Sequence, residues 1–132
     1  MSVATTQEVR IDVASVFVPE RSAPDEAQFF FAYTVRISNE GAQAVQLLTR
    51  HWIIMDGGGH IEEVRGPGVV GQQPVLRPGE SFEYTSACPL RTPHGTMYGS
   101  YQMIREDGVR FDAEIAPFGL AAPTETPSRW VN

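Results

Sequence analysis

Hydrophobic and polar positions alternate with a period of two along most of the chain, the signature of strands with one buried face. In residues 7–18, Val9, Ile11 and Val13 alternate with Arg10 and Asp12. The phase then slips at Val16-Phe17-Val18, which predicts a bulge or kink there. Residues 1–6 carry no comparable pattern and are expected to be a disordered start, and residues 19–25 (PERSAPD) read as a loop by composition. The cleanest alternation is in residues 27–38, where Phe29, Phe31, Tyr33, Val35 and Ile37 share one parity. Asn39-Glu40-Gly41 supplies turn chemistry. A long strand over residues 43–55 follows, apolar on both faces around Trp52, Ile53, Ile54 and Met55, which predicts burial between layers.

Asp56-Gly57-Gly58-Gly59 turns the chain into a short strand over residues 60–65, and a glycine-rich loop comes next. Arg77-Pro78-Gly79-Glu80 has the proline and glycine placement of a type II turn. Phe82, Tyr84, Ser86 and Cys88 then alternate with Glu83, Thr85 and Ala87. After a loop at residues 89–95, a strand over 97–104 and a second one through Val109, Phe111, Ala113 and Ile115 flank Asp107-Gly108, a two-residue hairpin signal. From Pro117 the periodicity is lost, so residues 121–132 are expected to form a flexible tail, with Phe118 still packed. Seven or so strands without a helical stretch predict one all-β domain over residues 7–120. Its expected form is an antiparallel β-sandwich, with a barrel as the alternative that periodicity leaves open. Trp52 is the expected packing centre between the sheets.

The charge narrows the function classes. The 132 residues carry a formal net charge of −6, and every basic residue is arginine. An acidic domain without a basic cluster disfavours nucleic acid and anionic membrane surfaces as partners. The single cysteine, Cys88, excludes an intrachain disulfide and a cysteine-based zinc cage. With no basic-then-apolar leader and no apolar run of membrane length, the expected location is the cytoplasm.

The stretch GPGVVGQQPVLRPGESFEYTSACPL, residues 66–90, resembles the signature of the bacterial ApaG family. So do Asn39-Glu40-Gly41 with Gln46-Leu47-Leu48-Thr49-Arg50-His51-Trp52, and the run from Thr92 through Tyr101. The likeness covers about residues 7–120, with Ala87 a departure where the family pattern leads one to expect glycine. It implies an immunoglobulin-like, fibronectin type III-like sandwich, a partner-binding role, and an association with magnesium and cobalt homeostasis. It transfers no catalytic residue and no cofactor.

Four constellations remain to be weighed against plainer roles. Gly66-x-Gly68-x-x-Gly71 matches a dinucleotide fingerprint on paper, but Pro67 interrupts it and no helix follows to hold a pyrophosphate. A nest of backbone amides in this loop, aided by Arg65 or Arg77, is the surviving anion-binding version; glycines permitting positive φ in a tight crossover are the preferred one. His51, His60 and Asp56 are weak metal candidates, lacking the spacing of a zinc site, and solvated edges with packed histidines are preferred. Glu62-Glu63 and Glu106-Asp107 are adjacent strand or turn residues that do not chelate readily. Cys88 with His94 as its base is the one nucleophile pairing to consider, and its parity with Phe82 and Tyr84 favours a buried thiol instead. The expectation is therefore a non-enzymatic binding module for an unknown protein partner, with the long loops or Trp130 in the tail as contacts, and a homodimer through a sheet edge as one form of partnership. The alternative is a phosphate-ligand protein or enzyme using the loop at residues 66–71.

Overall fold

The computed structural model describes residues 1–123. Nine strands run in chain order: β1 Ser2–Thr6, β2 Val9–Phe17, β3 Phe29–Asn39, β4 Val45–Asp56, β5 Ile61–Pro67, β6 Val75–Leu76, β7 Ser81–Leu90, β8 His94–Arg105 and β9 Arg110–Ala121. Two single 3-10 turns, Pro19–Arg21 and Pro24–Glu26, lie between β2 and β3. One sheet has the order β1-β2-β3-β7 and the other β5-β4-β8-β9, with β6 pairing the start of β4 beyond β5. All pairings are antiparallel. This is the sandwich that the alternation predicts, not a closed barrel.

The core forms between the two inner faces. Trp52 sits at its centre, with ring centroids 5.3 Å from Tyr33, 6.0 Å from Phe118 and 6.2 Å from Tyr101. Edge-to-face aromatic pairs of this kind add about 0.5–1.5 kcal/mol each beyond the area they bury. Tyr84 of one sheet and Tyr101 of the other join hydroxyl to hydroxyl across the core, so neither buried O–H lacks a partner. Asn39, the one buried polar residue among those described, is fully used. Its Nδ2 donates to the carbonyls of Gln43 and Leu76, and its Oδ1 accepts from the Gly41 amide.

Several expectations are corrected. Residues 1–6 are not frayed: β1 pairs in register along β2, Ser2 opposite Val13 through Thr6 opposite Val9. No bulge occurs at Val16–Val18; β2 keeps its register on β3 through Phe17, and Val16 simply faces solvent. The bulges fall instead at Leu48 in β4 and at Ala116-Pro117 in β9, opposite Tyr98 of β8. Each inserts one residue and flips the buried parity. In β4 the buried positions pass from Val45 and Leu47 to Trp52. β9, which pairs β8 across the second bulge, passes from Ile115 to Phe118 and Leu120. That flip hid the strand's continuation past Pro117, which runs to Ala121. Ile53 and Met55 face outward rather than lying between layers, because the sandwich has only two layers. The hairpin at Asp107-Gly108 has three loop residues, closed by the Arg105 amide on the Val109 carbonyl and turned by Gly108 at φ +85°. Of the expected tail, Ala121 belongs to β9 and Ala122 packs against the core, while residues 124–132, including Trp130, lie outside the described residues.

Candidate functional site

The two flanks of the sandwich differ. On one, β9 lies against β1 and β2, with the Ser15 hydroxyl donating to the Gly119 carbonyl at 2.8 Å and the Glu114 amide donating to Thr6 Oγ1 at 3.1 Å. On the other, β5 pairs only β4 and β7 pairs only β3 among the described residues, so both present an unpaired backbone edge. Between those edges the interior opens as a cleft of 280 Å³ whose lining includes Tyr33, Arg50, Trp52, Glu62, Ser86 and Cys88. Through Ile54, Glu62 and Pro89 it continues into a second depression, and through Pro89, Leu90 and Arg91 into a third beside Phe29 and Phe30. A continuous groove therefore follows the open edge.

Arg50 stands at one end of the cleft and was not among the residues the sequence singled out. The Leu47/Thr49 bulge places it on the inward parity, two residues before Trp52 and directly opposite Gly66. Its Nη1 donates to the carbonyls of Pro67 and Gly68, both at 2.9 Å. A Cβ on Gly66 would lie 2.9 Å from Nη2 and 3.0 Å from Nη1, so glycine there leaves room for the guanidinium. Nε and Nη2 have no protein partner among the described residues, yet neither is sealed from solvent. They form one edge of the planar group, a two-pronged donor on a residue that lines the cleft. A half-buried arginine with no carboxylate partner among the described residues is what makes this cleft chemically distinctive.

The glycine-rich loop wraps the same bulge. Leu48 O accepts from the Gly68 amide and from Gln73 Nε2, both at 2.9 Å, and the Leu47 amide donates to Pro74 O at 3.0 Å. Val69 and Gln72 exchange two backbone hydrogen bonds, and the Val69 side chain is buried in the core. Gly68 and Gly71 take φ of +60° and +79°. The amides of Gly68, Val69 and Gln72 are thus already committed to carbonyls, and the loop turns the Pro67 and Gly68 carbonyls toward Arg50. Arg65 lies on the outer face of its strand, 3.3 Å from Glu63. Arg77 sits beyond β6, where its own backbone amide donates to Glu80 Oε1.

The metal candidates are held apart. His51 Nε2 lies 3.1 Å from Glu63 Oε2, and His51 and Arg65 together hold the Glu63 carboxyl below the usual range. Asp56, five residues further along β4 and about 16 Å away, caps the hairpin tip by accepting from the amides of Gly58 and His60 through Oδ1. No group of three His, Cys, Asp or Glu side chains converges among the described residues. Cys88 is buried, and burial pushes its thiol up to about 11, the opposite of an activated nucleophile. The His94 ring packs over Gly57 at the hairpin tip and makes no hydrogen bond to Cys88. Burial raises the Tyr33, Tyr84 and Tyr101 hydroxyls, and the Arg50 charge works in the opposite direction on all three.

Against known proteins, residues 19–105 match the model described as the ApaG domain, two thirds of the chain. The chain belongs to the ApaG family. It is 58% identical over 123 residues to Protein ApaG of Anaeromyxobacter dehalogenans, covering 93% of this chain and 97% of that one. To Protein ApaG of Methylocella silvestris it is 55% identical over 120 residues, covering 91% and 92%. A crystal structure of the ApaA protein from Bordetella pertussis superposes with a TM-score of 0.86 at 54% identity, covering 89% of this chain and 95% of the other. ApaG relatives of this closeness share the sandwich, and none of these names carries an enzymatic activity.

Proposed function

We propose that this ApaG chain is a non-enzymatic binding module that captures an extended segment of a protein partner along its open flank. The observation that carries this reading is the asymmetry of the sandwich: on one flank β9 packs on β1 and β2, with side chains bonding backbone across the seam, and on the other the edges of β5 and β7 stand on either side of a groove. Unpaired edges take up strands readily, because each added residue finds backbone partners already aligned. A second copy of this chain joined edge to edge uses the same surface and is the homodimeric form of the same reading. No helix among the described residues is long and apolar enough to cross a membrane, and the proposed setting is the cytoplasm. The link to magnesium and cobalt is proposed as indirect, exerted through the partner. The phosphate-ligand alternative loses the amides of Gly68, Val69 and Gln72, which already donate within the loop and to the β4 bulge.

Site-specific photo-cross-linking in living cells tests this reading. A cross-linking residue replaces Glu63 or Ala87 on the two strands of the open flank, and Asp12 or Asp112 on strands away from it. Adducts confined to the first pair are expected. Adducts confined to the second pair would overturn the placement.

A further inference from the structure

We infer that the Arg50 end of the cleft is a carboxylate clamp that recognises an acidic side chain on the captured strand. The inference rests on the edge-binding reading and adds its specificity. On the inner parity of β5, Glu62, Val64 and Gly66 stand opposite Ile54, Trp52 and Arg50 of β4. A strand added to the free edge of β5 presents every second side chain to this ladder. The residue beside Gly66 meets the Nε and Nη2 edge of Arg50, which accepts a carboxylate through two parallel hydrogen bonds. The next inward residue meets Val64 and Trp52 and is apolar.

At the other end, about 13 Å along the strand, the residue beside Glu62 meets a carboxylate and is basic. Running antiparallel to β5, the captured segment reads acidic, any, apolar, any, basic. The two ends carry opposite charges, so they fix both direction and register of the incoming strand.

Three features converge on Arg50 as the selective element. Its Nη1 is fixed by the Pro67 and Gly68 carbonyls, so the guanidinium plane is oriented before any ligand arrives. The absence of a side chain at Gly66 leaves the space that the plane occupies. The remaining two donors have no protein acceptor among the described residues and belong to a residue that lines the cleft. In a chain of net charge −6, an isolated inward arginine also gives a local exception to a repulsive field, so acidic segments bind here and not generally.

The test is an NMR titration of the full chain with the peptide acetyl-Thr-Glu-Thr-Val-Thr-Lys-Thr-amide and with its glutamine-for-glutamate counterpart. Saturable shifts of the Arg50 side-chain Nε–H and the Val64 backbone amide are expected with the first. The second is expected to bind about tenfold more weakly, the loss of roughly one charge-assisted hydrogen bond. Raising the salt concentration narrows that gap. Arg50→Lys, which keeps the charge but loses the fork, is expected to remove most of the preference for glutamate.

Equal affinity of the two peptides, with shifts still on β5 and β7, would overturn the clamp while leaving edge capture intact. No shift on either edge with either peptide would overturn both.

Discussion

Replacing Gly68 by alanine separates the structural from the ligand-binding account of the glycine-rich loop. Gly68 takes φ +60°, where an L-residue pays roughly 1–2 kcal/mol in Cβ contacts. A Cβ built there would also lie 2.2 Å from the Gln72 carbonyl oxygen, a backbone atom that cannot swing aside. Relief requires opening the turn in which Val69 and Gln72 exchange hydrogen bonds of 2.8 and 2.9 Å. Losing one or both removes about 1 kcal/mol apiece. The expected destabilisation is thus about 2–4 kcal/mol. Gly71 offers an internal control, since its φ is +79° but nothing lies within 4 Å of an added Cβ. Gly71→Ala should lose only the conformational term, about 1–2 kcal/mol. Urea unfolding followed by Trp52 fluorescence and circular dichroism measures both, with the slope checked for constancy. The refuting result is a Gly68→Ala variant as stable as Gly71→Ala.

Other expectations follow from the same contacts. Gly66→Ala displaces the Arg50 guanidinium, and should weaken binding of the acidic peptide by about tenfold while shifting the thermal midpoint less than Gly68→Ala does. Burial holds the Cys88 thiol and the Tyr84 and Tyr101 hydroxyls protonated in the folded chain to higher pH than in the unfolded one. Their contribution is therefore complete near neutrality. It is lost as pH rises past the ordinary thiol range and through about 11, so denaturant midpoints should fall over that window, and less so in Cys88→Ala. Iodoacetamide should modify Cys88 slowly in native protein at pH 8 and quickly in urea. Magnesium or cobalt should leave the melting temperature unchanged, whereas a direct site at a hundredfold excess over Kd would add about 2.7 kcal/mol.

Much of the fold is legible in the alternation itself. Val9, Ile11, Val13 and Phe31 through Ile37 declare one sheet, and Trp52 declares the core because no other residue that large lies on a buried parity. What escapes are the places where parity changes. The inserted residue at Leu48 leaves no composition signal, and the one at Ala116-Pro117 shifts the parity of β9 beside a proline, so its continuation past Pro117 reads as the end of a strand. β1 escapes because Ser2, Ala4 and Thr6 are small or polar and mark no apolar face, although they are the inward positions of a flank strand.

The candidate site shows the same limit. Arg65 and Arg77 attract notice because they flank the glycines, yet the guanidinium that touches the loop comes from Arg50, sixteen positions before Gly66. Its one signal in the sequence is shared parity with Trp52, an arginine on a face that elsewhere is apolar. Gly66 likewise reads as part of a phosphate motif, while its missing side chain makes room for a neighbour that the register alone brings near.

The most direct measurement of the central claim is hydrogen–deuterium exchange of the chain bound to the partner identified by cross-linking, compared with the free chain. Strand capture on the open flank predicts slowed exchange in Ile61–Pro67, in Ser81–Leu90, or in both, with Arg110–Ala121 unchanged. Protection confined to Arg110–Ala121 and Ser2–Thr6, with the amides of β5 and β7 exchanging as before, would contradict it.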